Sequence, residues 1–152
     1  HFSTDLMIGF PGETREAFQN SLQLLNQLKF GKIHVFPYSA RKGTLAYDME
    51  NQIPAEVIKE RTAEALEFSS RQLDSYAESW VGKPVSILVE KAQKTGLEGW
   101  TKEYIRAITH EKSVFARRDQ VELLVFSSKQ GCLFGDIISA ESCVNQRDSS
   151  FD

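Results

Sequence analysis

The hydrophobic pattern of the chain changes at about residue 82. Before this point, short apolar runs alternate with stretches in which apolar residues recur at helical spacing. Beyond it, short apolar segments are separated by glycine-containing turns, which is typical of small all-β folds. The pattern predicts an α/β domain over 1–82, a small antiparallel barrel over 83–139 and a polar tail over 140–152.

The first domain begins with a strand that ends in a glycine-rich turn. Leu6, Met7 and Ile8 form an apolar run without alternation, as expected of a parallel strand covered on both faces. The sequence Gly9-Phe10-Pro11-Gly12-Glu13 follows, and its glycines allow a tight turn or a close approach to a ligand. Ligands of α/β proteins bind at the carboxyl ends of strands, so this turn is a candidate site. The alternative is a plain strand-to-helix connection.

A helix and a second strand follow this turn. Thr14 is expected to cap the start of the helix, Lys29 to close the helix, and Gly31 to cap it just beyond. One apolar stripe is predicted between them, formed by Phe18, Leu22, Leu24, Leu25 and Leu28. With a second strand over 33–36, these elements form a βαβ unit. A single unit does not complete a sheet, so we expect further strands from an upstream part of the same protein or from a partner.

The second strand ends in a loop, 36–44, that carries hydroxyls, a flexible Gly43 and the Arg41 guanidinium, which suits phosphate or carboxylate. Two strand-end loops favour a shared site, with a solvated surface loop as the alternative. His34 lies near no nucleophile with an orienting acid, so no catalytic residue is assigned.

A long helix is predicted from Ile53-Pro54 to about Trp80. Its apolar stripe consists of Val57, Ile58, Ala65, Leu66, Leu73, Tyr76, Ala77 and Trp80. The sequence 81–84 contains Gly82 and Pro84, which end the helix and mark the domain boundary.

In the barrel, strands are predicted over 85–90, 121–126 and 133–138, with a weaker one at 114–116. The segment 96–101 is expected to be a turn that leads into a strand containing Tyr104 and Ile108. Such a barrel can bind single-stranded RNA by stacking and phosphate contacts. Candidate RNA-binding residues are Lys91, Lys94, Trp100, Thr101, Lys102, Tyr104 and Arg106. The alternative is that the aromatic residues are core.

Composition narrows these options. The net charge of −3 lacks the global basic excess of strong nucleic-acid binders. Cys132 and Cys143 cannot hold an iron–sulfur cluster alone and match no zinc pattern, so no metal ligand is predicted. The few cysteines favour a reducing, cytoplasmic setting, and no apolar run reaches transmembrane length.

The segments 4–14 and 34–44, followed by a small barrel, resemble the radical-SAM tRNA methylthiotransferases. The resemblance covers nearly the whole chain as far as Ile138. The sequence His-Val-Phe-Pro-Tyr-Ser at 34–39 resembles the branch that acts on threonylcarbamoyl-adenosine beside the anticodon. The isopentenyl-adenosine and ribosomal-protein branches usually read differently there, and both remain as alternatives.

The resemblance implies a fold, a cofactor and a partner. The fold is α/β, a partial radical-SAM β/α barrel with one βαβ unit and a long helix, followed by an OB-like TRAM barrel that grips the tRNA anticodon stem-loop. S-adenosylmethionine would be shared with an upstream part of the protein. Residues implied to lie beside it are Gly9, Phe10, Gly12, Glu13, Phe36 and Pro37. Residues implied to face the substrate nucleotide are Tyr38, Ser39, Arg41, Gly43 and Thr44.

The sequence departs from the family at two points. It lacks the C-x-x-x-C-x-x-C triad whose cysteines hold the 4Fe–4S cluster, and the domain with the auxiliary cluster. Leu45 stands where this branch commonly has proline. We therefore expect a fragment of a longer enzyme, inactive by itself. The alternative is a non-catalytic RNA-binding module with a degenerate βαβ appendage.

Overall fold

A parallel strand pair with two helices is followed by a closed barrel of five strands. The computed structural model describes residues 2–93, 95–111 and 114–141. The chain divides into two compact units, residues 1–76 and 77–152. The predicted fold class, a βαβ unit with a long helix followed by a small barrel, is confirmed.

The elements are as follows. The first unit contains β1 (Ser3–Ile8), α1 (Arg15–Leu28), β2 (Lys32–Pro37), a 3-10 turn (Leu45–Tyr47) and most of α2 (Ala55–Glu78). The barrel strands are β3 (Pro84–Gln93), β4 (Gly96–Thr101), β5 (Arg106–Thr109), β6 (Gln120–Lys129) and β7 (Cys132–Glu141). Among the described residues, no helix is long and apolar enough to cross a membrane.

The core of the first unit lies on one face of the strand pair. Strands β1 and β2 are parallel, with Ile8 opposite Pro37 at their carboxyl ends. Ile8 packs with Phe18 of α1 and Ala65 of α2, and all three are fully buried. The prediction that β1 is covered on both faces is wrong for this chain. Met7 is 44% exposed, because the described helices pack against the opposite face of the sheet.

Helix α1 begins and ends where the sequence predicts, but its C-cap residue differs. The Thr14 hydroxyl accepts a hydrogen bond from the Ala17 N–H at 3.0 Å, which confirms the N-cap. The C-cap is Lys29, in the left-handed conformation with φ 49°, and not Gly31. The Gly31 N–H instead donates to the Phe2 carbonyl at 3.1 Å, since the chain already approaches β2 at that point. Of the predicted stripe, Leu24 and Leu28 are exposed.

Helix α2 ends at Glu78, slightly before the predicted Trp80. Its stripe is also narrower than expected, because Leu66 is exposed. In its place the apolar face includes a charged residue, Arg61, which is buried. A hydrogen bond of 2.9 Å from the Ser69 hydroxyl to the Ile33 carbonyl ties α2 to β2.

The barrel closes in the order β3-β4-β5-β7-β6, with β6 pairing back to β3. Its core consists of inward-facing residues on all five strands and the turn before β5: Val85, Ile87, Val89, Leu97, Ile105, Ala107, Val121, Leu123, Val125 and Leu133. The prediction of an entirely antiparallel barrel is wrong at one seam, where β5 and β7 pair in parallel. Closure requires one parallel pair, because five strands in a ring cannot alternate in direction throughout. The other four pairs are antiparallel, so β5 and β7 run in the same direction.

Two boundaries in the barrel differ from the prediction. The segment 96–101 is strand β4 itself and not a turn, while Tyr104 lies in the turn that follows, with φ 58°. The described residues of 114–116 form no strand. Alternation in β4 is hidden from the sequence because two of its positions are glycine, which carries no hydrophobic signal.

The barrel core offers a matched test. We expect Leu123→Ala to destabilise the barrel by about 2–5 kcal/mol, because this fully buried side chain would leave a cavity. The neighbouring Leu124 is 43% exposed, so Leu124→Ala should cost under about 1 kcal/mol. Chemical unfolding followed by tryptophan fluorescence measures both, since Trp80 and Trp100 belong to this unit. Equal losses would contradict the assigned alternation of β6.

Candidate functional site

The two strand-end loops meet at the carboxyl edge of the parallel pair. The Tyr38 N–H donates to the Ile8 carbonyl at 2.7 Å and so joins the two loops at their roots. The rings of Phe10 and Tyr38 pack edge to face, with centroids 5.5 Å apart. The structure therefore brings together the beginnings of both predicted site loops.

The turn after β1 is held by hydrogen bonds that its backbone N–H groups donate. Gly9 and Gly12 have φ values of 82° and 85°, which glycine adopts without a steric penalty. The Gly9 N–H donates to Glu13 Oε2 at 3.0 Å, and the Glu13 N–H donates to the Phe10 carbonyl at 2.9 Å. The Gly12 N–H donates to the Asn51 carbonyl at 2.9 Å. These three donors are thus engaged within the chain and are not available to a ligand.

Glu13 makes an ion pair with a residue that sequence reasoning missed. Arg61 Nη1 lies 2.7 Å from Glu13 Oε2 and donates a second hydrogen bond, of 2.8 Å, to the Glu13 carbonyl. Both side chains are largely buried. One signal could have identified Arg61, since it is three residues after Ile58 and four before Ala65, on the apolar face of α2.

The surface left at this edge suits an organic ligand with an aromatic part. Phe10 and Phe36 are both about two-fifths exposed. The Tyr38 hydroxyl is buried and has no hydrogen-bond partner among the described residues. A purine ring packs well on such aromatic side chains, and a hydroxyl supplies one polar contact. These features fit one wall of an S-adenosylmethionine site.

The other predicted site residues continue along the second loop. Thr44 closes a turn on Arg41, whose carbonyl accepts from the Thr44 N–H at 3.2 Å and from its hydroxyl at 2.8 Å. Gly43 within this turn has φ 84°. Ser39, Arg41, Gly43 and Thr44 are all exposed, as is Pro37 at the end of β2.

The described residues contain no candidate ligand set for an iron–sulfur cluster. Within the described ranges, no group of three or more His, Cys, Asp or Glu side chains is placed to hold a metal ion. Cys132 is a free thiol at the start of β7. Cys143 lies outside the described residues. The described residues therefore do not fit a cluster site.

The barrel carries an aromatic and basic face on its outer surface. Trp100 lies opposite Leu88 on β3 and opposite Arg106 on β5, so these three side chains share one face. Trp100 is 41% exposed and Tyr104 is 69% exposed. Neither aromatic side chain belongs to the barrel core, which was the alternative left open by the sequence. The Trp100 Nε1–H donates to Glu90 at 3.1 Å, which fixes the ring at the surface.

Glu98 lies between two of the predicted RNA-binding cations. Its Oε1 is 2.6 Å from Arg106 Nη2 and 3.1 Å from Lys91 Nζ. The hydrogen bond from Arg106 is the main reason that the pKa of Glu98 lies below its usual value of 4.5, and the same bond raises the pKa of Arg106. Any phosphate that binds these cations must therefore compete with Glu98.

The three remaining predicted RNA-binding residues differ in their surroundings. Thr101 is buried, and its hydroxyl accepts from the N–H groups of Glu103 and Ile105 at 3.2 Å, so it shapes the turn that presents Tyr104. Lys102 is exposed in that turn. Lys94 lies outside the described residues.

The Glu98 cluster should make barrel stability depend on pH. Because its folded pKa is lowered, the stabilisation is present above 4.5 and is lost as the pH falls through the folded pKa. We expect the stability difference between wild type and Glu98→Gln to narrow in that acidic range, and to be modest because solvent screens the pair. Unfolding free energies measured against pH test this. Glu122→Gln, which removes a carboxylate bound to the Ser139 hydroxyl, is the control. A difference that does not vary with pH would contradict the assignment.

The chain is similar in sequence to several known proteins. No protein-family model matches it. It is 43% identical over 93 residues to the tRNA-2-methylthio-N(6)-dimethylallyladenosine synthase of Acetivibrio thermocellus, covering 61% of this chain and 19% of that protein. With the enzyme of the same name from Desulfitobacterium hafniense, identity is 32% over 142 residues, 88% of this chain and 30% of that protein.

A second kind of relative is also found. The chain is 34% identical over 111 residues to the threonylcarbamoyladenosine tRNA methylthiotransferase MtaB of Bacillus subtilis, covering 70% of this chain and 25% of that protein. The chain thus spans less than a third of the length of these relatives. The two names differ in the modified adenosine, and the similarity does not separate them. Together with the βαβ unit and the closed barrel, it makes the chain homologous to the carboxyl-terminal region of the tRNA methylthiotransferases.

Proposed function

We propose that this chain is the carboxyl-terminal part of a tRNA methylthiotransferase, with its first unit forming one wall of the cofactor site and its barrel binding tRNA. The observation that carries the proposal is similarity over 142 residues, which runs through both units of the chain. The meeting of two ligand-suited loops at one strand edge supports the first role. The exposed Trp100 and Tyr104 support the second.

The cofactor wall consists of the carboxyl ends of β1 and β2. Phe10 and Phe36 offer aromatic surface, and Tyr38 offers a hydroxyl without another partner among the described residues. When bound in the complete enzyme, S-adenosylmethionine supplies both the methyl group and the radical chemistry. Gly9, Gly12 and Glu13 act at this wall by shaping the turn, because their N–H groups are already engaged.

The cluster ligands are expected elsewhere in the protein. The described residues contain no cluster site, and the chain covers under a third of its relatives. We therefore propose that the 4Fe–4S ligands belong to an upstream part of the same protein. The 152-residue chain should then have no methylthiolation activity by itself.

For the substrate, we favour threonylcarbamoyl-adenosine beside the anticodon. The sequence at 34–39 supports this choice through its resemblance to that branch, and the Bacillus subtilis relative carries that substrate in its name. Dimethylallyl-adenosine is the second candidate, since the Acetivibrio thermocellus relative is more similar, at 43% identity. Ser39, Arg41, Gly43 and Thr44 are exposed in the loop proposed to meet the nucleotide.

On the barrel, the proposed RNA face combines stacking and charge. Trp100 and Tyr104 would stack on unpaired bases of the anticodon loop, and Lys91, Lys102 and Arg106 would contact phosphates. Since Glu98 pairs with two of these cations and a second carboxylate, Glu90, lies beside Trp100, the face carries little net positive charge before RNA binds. Affinity is therefore expected to depend on stacking more than on counterion release.

The enzymatic proposal is tested by nucleoside analysis. The full reading frame that encodes this chain is expressed in bacteria lacking their own methylthiotransferases, and tRNA nucleosides are analysed by mass spectrometry. We expect 2-methylthio-threonylcarbamoyl-adenosine. Appearance of the dimethylallyl product would support the second candidate, and neither product would favour the non-catalytic RNA-binding module. Expression of the 152-residue chain alone is the control and should yield no product.

The RNA-binding face is tested on the 152-residue chain with an anticodon stem-loop. We expect Trp100→Ala to weaken binding roughly 5- to 150-fold, as loss of one stacked base corresponds to about 1–3 kcal/mol. The control is Phe126→Ala, which removes an exposed aromatic ring from β6. Titrations at several salt concentrations should show a shallow slope, with few ions released. An unchanged affinity in Trp100→Ala with a folded barrel would overturn the assignment of this face.

A further inference from the structure

The Gly9–Glu13 turn is gripped from one side by the segment that leads into α2. Asn51 precedes the helix and accepts the Gly12 N–H at 2.9 Å. Ile58, on the first turn of the helix, packs so closely on Gly9 that a Cβ there would lie 2.4 Å from the Ile58 Cγ1. Both contacts join the turn to residues that lie more than 35 positions away along the chain.

Arg61 makes the third and most polar contact of this grip. Its Nη1 donates to the Glu13 carbonyl at 2.8 Å and to Glu13 Oε2 at 2.7 Å. The same Oε2 accepts the Gly9 N–H at 3.0 Å. Arg61 Nη1 thus contacts one end of the turn directly, at the Glu13 carbonyl. It is linked to the other end, the Gly9 N–H, through Glu13 Oε2. The guanidinium also lies over the buried ring of Phe18, 5.9 Å from its centroid.

A contact of this kind is poorly explained as a source of stability alone. Removing two charges from water is costly, and apolar residues of similar volume often stabilise a core equally well. What an ion pair with directed hydrogen bonds adds is a fixed geometry of the groups that it joins. Here those groups are the Gly9 N–H and the Glu13 carbonyl, on either side of Phe10.

We propose that Arg61 is a positioning residue for the cofactor wall: through Glu13 it fixes the Gly9–Glu13 turn and thereby the placement of Phe10. The inference rests on the proposed function, since it assigns a role to the turn at that site. Glu13 then acts as the link between helix and turn, and its own contact with the cofactor is not needed. Phe10 and Tyr38, whose rings pack together, are the groups whose placement is controlled.

The first part of the test concerns the turn by itself. Amide hydrogen exchange is measured on the 152-residue chain, wild type and Arg61→Met. We expect exchange of the Gly9 N–H to accelerate at least about tenfold, because its acceptor is no longer held. Exchange in the barrel should not change. The matched control is Arg15→Met, which removes an exposed arginine that lies over the same Phe18 ring and pairs with Glu64.

The second part concerns the cofactor in the full-length protein that contains this chain. Equilibrium binding of S-adenosylmethionine is measured by calorimetry, separately from turnover. Arg61→Met should weaken binding roughly 10- to 100-fold, as expected when a distant change displaces contact groups by about 1 Å. Arg61→Lys retains the charge and should restore part of the affinity. Arg15→Met should bind as wild type does.

The outcomes separate the two levels of the inference. Unchanged Gly9 exchange in Arg61→Met would overturn the grip. Faster exchange with undiminished cofactor binding would overturn the positioning role and leave the proposed function intact. If the wild-type protein itself does not bind S-adenosylmethionine, the proposed function fails, and the positioning role fails with it. Should Arg61→Met unfold the first unit, Arg61→Lys, which keeps the charge but cannot make the same pair of directed hydrogen bonds, replaces it in both measurements with a smaller expected effect.

Discussion

The geometry of the Gly9–Glu13 turn depends on one largely buried ion pair, between Glu13 and Arg61. A glycine-rich turn at a strand end has many accessible conformations, and contacts with Asn51 and Ile58 limit them on one side. The carboxylate of Glu13 restricts it by accepting hydrogen bonds from the Gly9 N–H and from Arg61. The turn is thereby fixed to the helix that follows the second strand.

In the barrel, the residues that form the core and the residues that form the outer surface alternate along the strands. Closure pairs the strand edges, and alternation places the core residues on the inside. The outward positions are then free for other roles, which explains how Trp100 can be surface-exposed in a unit of this size. On the same face, Glu98 forms ion pairs with both Arg106 and Lys91. RNA binding at such a face requires these ion pairs to exchange partners.

The parts of the fold that follow from local pattern were predicted well. The βαβ unit, the long helix, the barrel and the Thr14 cap all rest on periodicity or on contacts within one turn, and the structure confirms them. The errors concern choices between neighbours of similar propensity. Lys29 takes the left-handed position that Gly31 was expected to fill, because β2 begins at Lys32 and the chain must turn earlier. Strand β4 was missed because its glycines obscure the alternation.

The sequence by itself determined most of the helices and strands, and which loops carry groups suited to a ligand, because these properties depend on residues a few positions apart. Only the tertiary structure decided which partners those groups have and whether they are exposed. Glu13 has as its partner Arg61, 48 positions away along the chain. Trp100 remained core or surface until barrel closure set its direction. Both outcomes depend on contacts between distant residues, and such contacts are fixed by packing and not by local periodicity.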